Sequence, residues 1–254
     1  MRIRPLGLSD SFSRSGRGFP SFLFANQNGH AMIDVPPDFM ERLFALGLNP
    51  LDISELYITH FHDDHVGGLR RFLEFRYIAQ KNQERFTFGG YLRLGQELKH
   101  LDICCPSDGS VQFLQLLGWV ARENRFDTTI HVIDFNSQIG MLSPALGDIK
   151  VFAQPSKHSV SCVGYKLNDQ VVISGDTAYD EGYIKWLSDV RLIFCEFGFA
   201  GPHMKVEDIQ KISLDVRRKM RMYHVPDPVY ENWDNLDLGV ALAKLRWYEE
   251  GKDF

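Results

Sequence analysis

The stretch THFHDDHVGG, Thr59 to Gly68, places His60, His62, Asp64 and His65 within six consecutive positions, directly after the run ELYIT that reads as a buried strand. On an extended strand exit, residues two apart point the same way, so His60 and His62 can grip one ion as a pair. Asp64 and His65 lie beyond the turn. Six residues cannot easily wrap four side chains around one tetrahedral ion, so the spacing favours two neighbouring metals. Each half-built site then needs ligands from elsewhere, and the fold has to carry distant segments to this strand end.

The rest of the chain suggests how. SFLFAN (21–26) and HAMID (30–34), joined by Asn28-Gly29, predict a hairpin. PDFMERLFALG predicts a helix with Pro37 near its start and Gly47 past its end, and LRRFLEFRYIAQ a second helix after Gly67 and Gly68. In the second half TTIHVIDF, DIKVFAQ, VGYKL, VVISGD and VRLIFCEF read as strands. YIKWL reads as a short helix, VEDIQKISLDVRRK as one longer helix and GVALAKLRWYEE as a C-terminal helix. Strands followed by helices, twice over, predict an α/β protein with sheets covered by helices.

With 254 residues, 44% of them apolar, the chain can bury one large core, and no Pro/Gly-rich linker marks a boundary. Residues 1–254 therefore read as a single domain, with about 80–100 as an insertion or arm and 226–254 as a C-terminal extension. The formal net charge of -5 gives no footprint for general nucleic-acid or anionic-membrane binding. No stretch reaches the roughly 18 consecutive apolar residues of a membrane span, and the N-terminus lacks an apolar signal-type run. The cysteines, Cys104, Cys105, Cys162 and Cys195, form no C-x-x-C pair and read as reduced thiols, so a cytoplasmic location is expected.

THFHDDHVGG is similar to the H-x-H-x-D-H signature of the metallo-β-lactamase superfamily. The resemblance implies a four-layer αββα sandwich, two mixed sheets covered by helices, with a dinuclear and usually zinc-containing site along one edge of the sheets. It also implies later ligands in order: His158 after DIKVFAQ, Asp176 in the SGDT turn, and His224 in KMRMYHVPD. On this pattern His60, His62 and His158 hold one ion, Asp64, His65 and His224 hold the other, and Asp176 bridges. His30, His100 and His131 match nothing in it. Two Zn ions per chain are expected, with Mn or Fe less suited to so many imidazoles. Iron-binding diiron flavoproteins of the superfamily resemble H-x-E-x-D-H instead, and position 62 is histidine here. Two cations lower the pKa of a shared water toward neutrality, so the implied chemistry is hydrolysis without a covalent enzyme intermediate.

Further along, HSVSCVGYKLNDQVVISGDT resembles the phosphodiesterase branch, which includes ribonuclease Z and small cyclic-phosphate phosphodiesterases. EFGFAGPHMKVEDI resembles the part of ribonuclease Z where a histidine precedes an acidic helix and protonates the leaving oxygen. His203 matches that histidine, 21 residues before His224 with one helix expected between them, and Glu196 is placed to orient it. Asp64 and His203 are thus the candidate catalytic residues. The expected activity is that of a phosphodiesterase on a small or cyclic nucleotide-like phosphodiester. Alternatives are a thioester, lactone or amide hydrolase on the same fold, or a metal-stabilised binding module without turnover.

The resemblance runs from roughly residue 20 to 225. No long Gly/Pro-rich arm is present, and DVPP replaces the usual glycine after Asp34, so transfer RNA is a doubtful substrate. Family members are often dimers, which makes a homodimer an expectation. Phe86, Phe88 and Tyr91 beside Lys81, Arg85 and Arg93 suit base stacking and phosphate contact, or equally a dimer arm. Tyr223, Tyr230 and Trp233 either wall the substrate pocket or pack the C-terminal helix.

Overall fold

A computed structural model describes residues 1–12, 16–81, 98–107, 128–133, 140–147 and 149–252. The first sheet holds β1 (Arg2–Gly7), β2 (Ser21–Ala25), β3 (His30–Ile33), β4 (Ile53–Tyr57), β5 (Leu101–Pro106) and β6 (Thr128–Ile133). The second holds β7 (Met141–Ser143), β8 (Ile149–Pro155), β9 (Val163–Leu167), β10 (Val171–Ile173), β11 (Leu192–Glu196), β12 (Met220–Tyr223) and β13 (Ala241–Leu242). A last strand, β14 (Tyr248–Glu249), returns to the first sheet beside β1. Both sheets are mixed, parallel from β3 to β6 and from β10 to β13 and antiparallel elsewhere.

Alternation along the strands builds the layers. Phe22 and Phe24 face inward and meet Phe194, Tyr165 and Tyr223 of the other sheet, whereas Leu23 between them faces outward. The Phe22 ring lies 5.0 Å from those of both Phe194 and Tyr223. Outside the first sheet, Leu23, Met32 and Leu56 pack on α1 (Phe39–Ala45) and α3 (Leu69–Lys81) through Phe39, Leu43 and Phe72. Outside the second, Val172, Ile193 and Met222 pack on α4 (Glu181–Ser188) and α5 (Val206–Lys211) through Tyr183, Leu187 and Ile209. Between α1 and α3 lies the single turn α2 (Asp63–Val66), and after α5 come α6 (Leu214–Lys219) and α7 (Asp227–Glu231). The result is the αββα order expected.

One polar group crosses the inner layer. Glu55 of β4 accepts hydrogen bonds from Tyr57 Oη (2.8 Å), from Ser143 Oγ and from the Ala145 amide (2.7 Å), tying the two sheets together. Replacing it with alanine takes the acceptor from two buried hydroxyls and a buried amide, at about 1–3 kcal/mol for each group left unpaired. Glu55→Ala should therefore lower the unfolding free energy by roughly 3 kcal/mol. Urea denaturation checks this, and an unchanged midpoint would remove the cross-sheet role.

Two expectations need correction. GVALAKLRWYEE is no helix: its two ends form β13 and β14, pairing Ala241 with Arg221 and Tyr248 with Ile3. Open sheet edges claim these residues, and tertiary pairing overrides their helical preference. VEDIQKISLDVRRK is two helices, α5 and α6, because Ile212 and Ser213 turn extended between them. A strand also precedes the expected first hairpin, since β1 pairs with β2.

No helix among the described residues is long and apolar enough to cross a membrane. All four cysteines are buried and unbridged. Residues 82–97, with Arg85, Phe86, Phe88, Tyr91 and Arg93, lie outside the described residues, as does the side chain of Lys81.

Candidate metal centre

The two parallel halves end on the same edge of the sandwich, and the candidate residues sit where their strands stop. His60 follows β4, Asp176 follows β10, Glu196 ends β11 and His224 follows β12. Gly175 makes the Ser174-Gly175-Asp176 turn possible: its φ is +59°, and an added Cβ would stand 2.5 Å from the Val163 carbonyl oxygen. His224 is a non-glycine residue at φ 58°, and the flanking chain is fixed by Val225 N donating to Leu8 O at 3.1 Å. Such strained backbone persists where surrounding structure over-determines it, typically at functional sites.

All seven predicted donor residues meet here. His62 Nδ1 lies 3.0 Å from His60 Nε2 and 3.3 Å from His158 Nε2. Asp176 Oδ2 is 3.7 Å from His60 Nε2 and 3.9 Å from His158 Nε2. On the other side His224 Nε2 is 3.3 Å from Asp64 Oδ2, and His65 Nε2 is 3.7 Å from the same oxygen. Asp176 reaches this second group too, with Oδ1 at 3.5 Å from His65 Nε2 and Oδ2 at 3.6 Å from His224 Nε2.

These donors suit cations. Nitrogens bound to one tetrahedral zinc at about 2.0–2.1 Å stand roughly 3.3 Å apart, matching the imidazole spacing around His62. His65 Nε2 and Asp176 Oδ1 are buried, face each other and have no hydrogen-bond partner. A shared cation satisfies both. The local field also draws positive charge. Burial works against protonating His65 and His224, yet Asp176 with Asp34 and Asp64 pushes His65 up to about 9, and Asp176 with Asp64 and Glu196 pushes His224 up to about 10. Burial likewise opposes ionisation of Asp176, but His224, His65 and His60 hold its carboxyl well below the usual range.

His203 completes one wall, with Nδ1 3.2 Å from Glu196 Oε2 and 3.7 Å from Asp176 Oδ2. Glu196 could be counted with Asp176, His203 and His224 as another donor group. Its Oε1, however, accepts the Thr177 and Met204 amides at 3.0 and 2.9 Å, so it supports His203 rather than facing an ion. Burial opposes protonation of His203, but the Glu196 hydrogen bond and the charges of Glu196 and Asp176 hold it above its ordinary value.

Sequence reading gave Asp34 no role here. Its carboxylate accepts from His65 Nδ1 (2.7 Å), Thr59 Oγ1 (2.8 Å) and Thr59 N (2.8 Å), fixing the imidazole with Nε2 toward Asp176. At φ 60°, Asp34 occupies a left-handed conformation that asparagine also tolerates. Asp34→Asn should therefore keep the fold but turn a donor toward His65 and weaken zinc binding roughly 10–100-fold. Competition with a chromophoric chelator measures this; unchanged affinity would remove the orienting role. Tyr223 and Trp233 are buried in the inner and outer cores, and Tyr230 packs under Arg17, so none of the three lines the cavity beside the donors.

A family model described as Anti-Pycsar protein Apyc1 matches residues 1–241. The chain belongs to that family. The match extends past the expected limits of residues 20 and 225, taking in β1 and β13. An Apyc1 protein from Paenibacillus harenae is 23% identical over 240 residues, covering 90% of this chain and 91% of that protein. Ribonuclease Z from Pyrococcus abyssi is 22% identical over 157 residues, covering 61% of this chain and 43% of that protein, so the chain spans less than half of that relative. Among solved structures, the metallo-β-lactamase fold protein YhfI from Bacillus subtilis superposes with a TM-score of 0.74 at 16% identity, covering 97% of this chain and 98% of that one. This Apyc1-family chain thus has the metallo-β-lactamase fold that its histidine motif resembles.

Proposed function

We propose that the chain is a metal-dependent phosphodiesterase acting on a small or cyclic nucleotide-like phosphodiester. Two zinc ions are its cofactors, one held by His60, His62 and His158, the other by Asp64, His65 and His224, with Asp176 between them. When bound, such a pair supplies an activated water at neutral pH and offsets charge on the attacked phosphate. Asp64 lines the cavity and stays ionised: burial opposes this, but the His224 hydrogen bond and the charge of His65 lower its pKa. In this reading Asp64 would also take part in accepting the proton released when water attacks.

The observation that carries the choice of a phosphodiester is the His203–Glu196 pair. Glu196 engages Nδ1 and leaves Nε2 of His203 to protonate a departing alkoxide. Such a leaving group needs an acid, and an imidazole whose pKa Glu196 and Asp176 hold above its ordinary value suits the task. The name of the ribonuclease Z relative accords with a phosphodiester substrate, and both it and the Apyc1 relative differ from this chain in three quarters of aligned positions or more. Zinc-loaded protein should release p-nitrophenol from its phosphate bis-ester, and chelator or His62→Ala should abolish the release. Cleavage of thioesters, lactones or amides with inertness toward phosphodiesters would overturn the proposal.

A further inference from the structure

The cavity over the donor groups, about 490 Å³, has one wall to which hydrolysis assigns no task. Beyond the donors and His203 it is lined by Phe12, Phe19, Pro37, Ser11 and Asp63. Phe12 is 88% exposed, the highest value among the exposed large apolar side chains of the described residues. An aromatic ring that lines a cavity yet stays in water gains by covering itself with a flat partner.

The base of the segment bearing Phe12 is anchored to the donor edge. Leu8 N and Ser9 N donate to Gly18 O at 2.9 and 2.8 Å. Arg17 Nη2 donates to Val225 O at 2.9 Å and to Asp227 Oδ1 at 2.6 Å, with its guanidinium 3.8 Å over the Tyr230 ring. Val225 directly follows His224, so the aromatic wall and a donor histidine share one frame.

Charge narrows the class of ligand. The described lining residues include no lysine or arginine, and Asp63 adds a carboxylate outside the seven donors. Outside the donor groups and His203, an anion here meets no cationic side chain among the described lining residues and faces Asp63 instead.

We propose that Phe12 and Phe19 are specificity-determining side chains that stack on a flat aromatic ring of a singly charged phosphodiester, while Asp63 turns away more highly charged phosphates. A nucleobase is such a ring, and stacking one on an aromatic side chain depends on the π-face rather than on sequence-specific hydrogen bonds. This inference rests on the phosphodiesterase reading above.

The test uses the zinc-loaded full chain with two probes: a nucleoside 3′,5′-cyclic phosphate and the 1-O-methyl riboside cyclic phosphate, in which methoxy replaces the base. Phe12→Ala should raise KM for the base-bearing probe about tenfold, and Phe12→Tyr should restore it. KM for the base-free probe should move by less than about twofold. Calorimetric Kd for a phosphorothioate analogue of the base-bearing probe should shift with KM, and Phe19→Ala should act in the same direction. Asp63→Asn should tighten binding of the nucleoside 5′-monophosphate more than that of the diester. Equal losses on both probes, or none in either phenylalanine variant, would overturn the proposal while leaving the phosphodiesterase reading intact. Inertness of the wild type toward both probes removes that reading and this inference with it.

Discussion

Asp176→Ala is expected to cost the zinc-loaded protein at least about a thousandfold in phosphodiesterase activity, with metal lost from both donor groups. No other described side chain faces both: Oδ2 reaches His60, His158 and His224, while Oδ1 faces His65. Metal assistance supplies several kcal/mol of transition-state stabilisation, and about 4 kcal/mol corresponds to roughly a thousandfold. His60 and His65 would also lose the charge that compensates their burial. The result is read from kcat/KM and from metal retained after dialysis. A variant that keeps both metals and most of its activity would show that Asp176 is only a turn residue.

The second large effect is expected at His203. With Glu196 at Nδ1, His203→Ala removes the proton donor and leaves the seven donors in place. General acid catalysis contributes typically 10²–10⁴-fold, so kcat on a substrate with an alkoxide leaving group should fall by about that factor. Metal content and KM should change little. On a p-nitrophenyl ester, whose leaving group departs readily as an anion, the loss should be far smaller. That contrast separates proton donation from a structural role, because a distorted site slows both substrates equally. Uniform loss would contradict the assignment.

The convergence of these seven side chains was legible in the sequence because their chemistry is concentrated and ordered. H-x-H-x-D-H after a strand is a dense local signal, and His158, Asp176 and His224 each follow a strand in the order the resemblance implies. Even Arg221, which interrupts the apolar run before His224, proved compatible with β12, since its guanidinium donates back to the Arg218 and Met220 carbonyls. Asp34 escaped notice because its partner His65 lies 31 residues away, and a lone aspartate at a strand end carries no periodic signal. Glu55 was hidden for a similar reason, as Ser143 and Ala145 approach it only once the sheets face each other. The two-residue strands β13 and β14 are too short for alternation to register, and only the open sheet edges define them.

Anomalous diffraction at the zinc edge from crystals of the zinc-loaded protein tests the central claim most directly. Two peaks per chain are expected, one at about 2.0–2.1 Å from nitrogens of His60, His62 and His158, the other at that range from Asp64, His65 and His224, with Asp176 touching both. A single peak, or peaks away from these side chains, would contradict the account.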